Sequence, residues 1–156
     1  MENFFDTDEL RVRAFRRIVY VLKDFWEEQK HENKDKADIH SRLFDTLIHR
    51  PLIEIGNSTE ETGHWEHVVP CKFIRDKAYA MFRHDKYTDD DVVKMVSRLL
   101  CVAHITKDEA HRLDHVEKLK TTMPPDWDFE TGSILARLDV AGITLDLNEF
   151  GRQSVC

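Results

Sequence analysis

Apolar residues in the first thirty positions recur at three- and four-residue steps. Leu10, Ala14, Phe15, Ile18, Leu22, Phe25 and Trp26 fall on one face, which predicts a helix to about Gln29. Asp6, with Glu9 three residues later, supplies its capping signal. Lys30 to Lys36 has no large apolar residue and predicts a loop. A second helix is expected from about Ala37 to Arg50, with Ile39, Leu43, Phe44, Leu47 and Ile48 inward; Pro51 ends it. Leu52 to Ile55 reads as a short strand, and Gly56-Asn57-Ser58 as a turn.

The middle of the chain alternates short apolar runs with helical spacing. Residues 65–69 read as a strand stopped by Pro70, and proline is well suited to open the next helix. Phe73, Ile74, Ala78, Tyr79 and Phe82 carry that helix to about His84. Thr88 with Asp91 caps another, through Leu100, and Cys101 to Ile105 is a second short strand. Thr106 with Glu109 forms a further capping box, opening a helix to about Lys118. Beyond it come a loop anchored by Trp127, a helix from Thr131 to Val140 ended by Gly142, a short strand at Ile143 to Leu145, and a frayed tail from Gly151. The pattern predicts an α+β class, predominantly helical, in a single domain spanning 1–156.

Composition narrows the function classes. At 156 residues with 41% apolar side chains, the chain can bury a core; its charged fraction of 34% exceeds the usual quarter or so. A net charge of −7 disfavours a protein that coats nucleic acid non-specifically, although a metal ion can bring positive charge to an acidic nuclease. An acidic surface equally suits binding to a basic protein. No apolar run approaches the roughly 18 residues of a membrane span, and no N-terminal region reads as a secretion signal. Cys71, Cys101 and Cys156 are an odd, widely spaced set that forms no disulfide framework, so a reducing cytoplasm is expected.

Glu66 and His67 lie side by side at the end of the first mid-chain strand. A carboxylate is a hard ligand for Mg²⁺ or Mn²⁺, and a neutral imidazole takes a proton from water near pH 7. If the bend at the strand end lets both converge, Glu66 holds a metal and His67 activates the nucleophile. On the helix opened by Thr106, His111 and His115 are four residues apart and share a face, a spacing that chelates a divalent ion. A second metal reading uses His64, Cys71, Cys101 and His104 for structural Zn²⁺, the less favoured ion here because the spacings match no common zinc module. There is no Gly-rich phosphate loop and no Gly-x-Ser-x-Gly elbow.

The run Glu66-His67-Val68-Val69-Pro70, a second strand, and Thr106-Lys107-Asp108-Glu109-Ala110-His111 together resemble the His-Me finger, or HNH, nuclease superfamily. The resemblance covers residues 64–116. It implies a small two-stranded ββα-metal finger, His67 as general base, Glu66 and His111 as ligands of Mg²⁺ or Mn²⁺ with His115 in support, and hydrolysis of DNA or RNA phosphodiester bonds. Arg75, Arg83 and Lys94 are candidate phosphate contacts. The sequence departs from the family in the roughly thirty residues between its two strands and in the absence of Cys-x-x-Cys knuckles. The alternative function is a non-catalytic acidic protein that inhibits a nucleic-acid-binding partner, with Asp89-Asp90-Asp91 and Glu60-Glu61 meeting Arg and Lys.

Overall fold

A computed structural model describes residues 6–32, 37–61 and 63–156. Residues 33–36 of the expected loop lie outside them; Lys30–Glu32 form a single 3₁₀ turn. Helix α1 spans Thr7–Gln29, and the Asp6 carboxylate accepts from the Glu9 backbone N–H, as the capping signal predicts. Ala14, Phe15, Ile18, Val19 and Leu22 bury its apolar face. The second helix is much shorter than expected: α2 covers only Leu43–Leu47. A separate 3₁₀ turn at Arg50–Leu52 carries Pro51 in its first residues, where the missing N–H costs nothing.

Strand β1, Glu54–Asn57, leads to β2, His64–His67. Pro70 then opens α3, Cys71–Phe82. Thr88 caps α4, Asp89–Leu99, in a reciprocal capping box with Asp91, and α1, α3 and α4 pack on one another. Strand β3, Val102–Ile105, runs into α5, Lys107–His111, through the Thr106–Glu109 capping box. α5 continues as a π-turn over Arg112–Val116, and Lys118 in the left-handed region (φ 58°) ends it. The C-terminal part holds α6, Ala136–Val140, then β4, Asp146–Leu147, and α7, Glu149–Ser154.

The fold is α+β, mostly helical, with a four-stranded sheet in the order β2-β3-β1-β4. The finger expectation named two strands. The sheet is wider because β1 pairs in parallel with β3, and β4 adds antiparallel to β1. Gly56 makes that last pairing possible, since a Cβ there would stand 2.2 Å from the Asp146 carbonyl oxygen. β2 and β3 pair antiparallel, with His64 opposite Ile105 and His67 opposite Val102.

The core runs from Phe15 and Leu22 of α1 through Ile55, Val68, Val69, Ile74, Val96 and Ile105 to Leu138 and Ile143. Three C-terminal expectations change. The helix expected from Thr131 is only α6, because Asp128 folds the preceding residues into a turn by accepting from the N–H groups of Glu130 and Thr131. The expected strand at 143–145 lies slightly later, as β4. The expected fraying from Gly151 is instead α7, started by the Asn148 carboxamide, which accepts from the Gly151 N–H. Among the described residues, no helix is long and apolar enough to cross a membrane.

Candidate active site

β2 sends alternate side chains to opposite faces, as any strand does. On one face, His64 Nε2 lies 2.9 Å from Glu66 Oε2. Glu66 Oε1 accepts from Arg137 Nη2 at 2.6 Å. Arg137, on α6, is completely buried, and its other donors reach the main chain. Nη1 donates to the Leu119 carbonyl at 2.8 Å, Nε to that of Val68 at 3.4 Å, and Nη2 also to that of His67. A buried guanidinium is costly unless its charge and donors are matched. Here one carboxylate and three carbonyl oxygens match them.

Trp65 and His67 occupy the other face. His67 Nε2 lies 3.0 Å from Asp45 Oδ1 of α2, so in the neutral imidazole the proton sits on Nε2 and the lone pair on Nδ1. Nδ1 is buried and has no hydrogen-bond partner among the described residues. Trp65 stacks on His104 of β3 with centroids 4.3 Å apart and planes 8° from parallel, and the Arg50 guanidinium stands 4.8 Å from the Trp65 centroid. Asp45 and Arg50 also line a cavity of about 30 Å³ with Ile48, Ile53 and Val102. A water needs at least about 10–15 Å³ and polar partners, so this space suits one.

Cys71 follows at the start of α3. Burial pushes its thiol well above the usual range, the negative charges of Asp45 and Glu66 add to this, and Arg137 partly opposes it. Cys71 is therefore a protonated thiol at neutral pH, not an activated nucleophile. Burial likewise raises Cys101 to about 12, with Arg11 opposing.

Glu66 and His67 do not converge at the strand end. The strand conformation extends through His67, so the alternation holds and their side chains part. α5 packs against β2, and the Leu119 carbonyl, just past the π-turn, accepts from Arg137. Ala110 and Leu113 face inward, while His111 and His115 are exposed with ring centroids 4.6 Å apart. They form a two-donor pair, and both Glu66 oxygens are already engaged. Among the described residues, no three His, Cys, Asp or Glu side chains gather so as to hold a metal ion. The sets Glu66, His111, His115 and His64, Cys71, Cys101, His104 thus do not gather into one cluster in this arrangement.

The candidate phosphate contacts separate. Arg75 donates to the Ile39 carbonyl and pairs with Asp76, and Arg83 lies two turns further along α3. Lys94 of α4 lines a cavity that Met81 of α3 also borders. In the acidic run, Asp89 binds Lys23 and Asp91 serves the capping box. Sequence reasoning missed Asp45 and Arg137. Each acts on β2 from far along the chain, and no local spacing marks either of them. No protein-family profile, curated protein or solved structure matches this chain.

Proposed function

We propose that this protein hydrolyses nucleic-acid phosphodiester bonds with His67 as general base and Asp45 as its orienting carboxylate. The observation that carries this reading is the Asp45–His67 pair, which leaves Nδ1 as the nitrogen without a protein partner; Nδ1 is buried here, so the reading requires water to reach it as substrate binds. A carboxylate on one imidazole nitrogen fixes the tautomer and stabilises the imidazolium formed when the other nitrogen takes a proton. Arg50, beside the cavity that Asp45 lines, offers a guanidinium to a phosphate, a match that is bidentate by geometry. The antiparallel β2–β3 pair followed by α5 agrees with the ββα order that the His-Me finger resemblance implies. Because the donor set does not gather, no step is assigned to a metal. Three unpaired thiols suit a reducing cytoplasm.

The test is cleavage of plasmid, single-stranded DNA and RNA, with and without Mg²⁺ or Mn²⁺. We expect wild-type cleavage and a loss of about 10²–10⁴-fold in His67→Ala, the usual worth of a positioned base, with its melting temperature nearly unchanged. Wild-type inactivity on every substrate, or a fully active His67→Ala, contradicts the proposal.

A second reading, a non-catalytic acidic protein that binds a basic partner, draws on the engagement of both Glu66 oxygens by Arg137 and His64. It expects no cleavage, and binding to a basic protein that weakens with salt.

A further inference from the structure

Two cavities lie against α3, away from the Asp45–His67 pair. The first, of about 360 Å³, has Met81 and Met95 among its lining residues and is edged by Tyr87 and Phe129. The second, of about 520 Å³, is bounded by Phe73, Ala80, Met123 and Trp127. Both fall in the size range of small-ligand sites. They meet where the Lys77 ammonium of the second stands 3.7 Å from the centroid of the Phe129 ring of the first.

Cations recur along this path: Lys72 and Lys77 at the second cavity, Lys86, Lys94 and Arg98 at the first. Arg98 is fixed by donating to the carbonyls of Phe129 and Gly132. The acids on the path are Asp76 and Asp126 at the second cavity and Asp91 and Glu130 at the first. Two of them are spoken for: Asp76 pairs with Arg75, and Asp91 caps α4. On a chain of net charge −7, this path carries five cations against four acids, so its local balance is slightly positive.

The aromatic rings are pre-set. Trp127 meets Phe73 edge-on at 5.3 Å, and its indole N–H donates to the Ser133 carbonyl at 2.8 Å. Half-buried rings between exposed lysines are the ingredients of a track for single strands, in which bases stack and ammonium groups follow the phosphates. A duplex hides its base faces and gains nothing from the rings.

We infer that the groove along α3, from Trp127 through Phe129 to Tyr87, binds a short single-stranded segment of nucleic acid. This deepens the proposed function by naming the substrate form and where it is gripped. It rests on the nucleic-acid part of that reading and not on catalysis by His67.

The test is fluorescence anisotropy of a labelled ten-nucleotide oligo-dT and oligo-U, and of a duplex of equal length, on full-length protein at two salt concentrations. A triple variant, Lys72→Ala, Lys86→Ala, Lys94→Ala, changes only exposed side chains. We expect single strands to bind more tightly than duplex, and the triple variant to lose about tenfold or more in affinity with a shallower salt slope. Lys77→Ala, which removes the cation over Phe129, should weaken binding in the same direction. Equal binding by the triple variant, a preference for duplex, or no binding by wild type overturns the inference. Single-strand binding that depends on these lysines without any cleavage keeps the groove and sinks the catalytic reading. Cleavage that the triple variant leaves untouched does the reverse.

Discussion

Glu66 and His67 are neighbours in the chain, yet they serve opposite faces of β2. Glu66 is half-buried and held from two sides, by a buried arginine and by His64. His67 meets a single carboxylate, on an Asp45 whose side chain is 55% exposed, and keeps one nitrogen unpartnered. The first environment is built to stay as it is. Its charges are matched, and loosening either partner leaves the other buried and unpaired. The second rests on one contact that lies toward solvent. The difference separates a fully matched environment from a partly unpartnered one in two residues that composition and position treat alike.

This contrast can be broken from either side. The largest effect is expected from Arg137→Ala, which leaves one Glu66 oxygen and three carbonyl oxygens without their donor. Removing one partner of a buried ion pair costs about 3–5 kcal/mol, so thermal or urea unfolding should show a large loss or no folded protein at all. Glu66→Gln keeps an acceptor but removes the charge, and should cost less, about 1.5–3 kcal/mol, the worth of a hydrogen bond to a charged group. Asp45→Asn should barely move stability, by less than about 1 kcal/mol, because its partner contact is exposed. Under the proposed function its effect falls on the cleavage rate. An unfolding series in which Asp45→Asn is as damaging as Arg137→Ala would erase the distinction between the two faces.

Much of the fold was legible because local physics decides it. The Thr88–Asp91 and Thr106–Glu109 boxes, the Asp6 cap and the proline at the head of α3 all lie where their spacing predicts. Glu109 is a capping residue bonded also to the Ser58 hydroxyl. The Asn148 cap of α7 was equally readable: a side-chain acceptor three residues before Gly151 is a start signal, set against an expectation of fraying. The truncation of the second helix was less so. Its apolar spacing suits a helix over 37–50, but the chain is helical only around Phe44, which is fully buried.

The candidate site was legible in part. His67 and its strand were visible. The distant partners of His67 and Glu66 were not, because Asp45 and Arg137 arrive 22 and 71 residues away in the chain. Pairing at that range is set by how layers pack, and a single sequence carries no periodic trace of it. The expected meeting of Glu66 with His111 went unmet for a simpler reason: strand alternation persists to the last residue of β2 and sends Glu66 to Arg137.

The most direct measurement is a cleavage-rate cycle with wild type, His67→Ala, Asp45→Ala and the double variant, each checked for an unchanged melting temperature. If the two side chains act as one unit, Asp45→Ala should lose much of the rate and the double variant should be no slower than His67→Ala alone. Losses that simply multiply, or a His67→Ala protein that cuts as fast as wild type, would contradict the account.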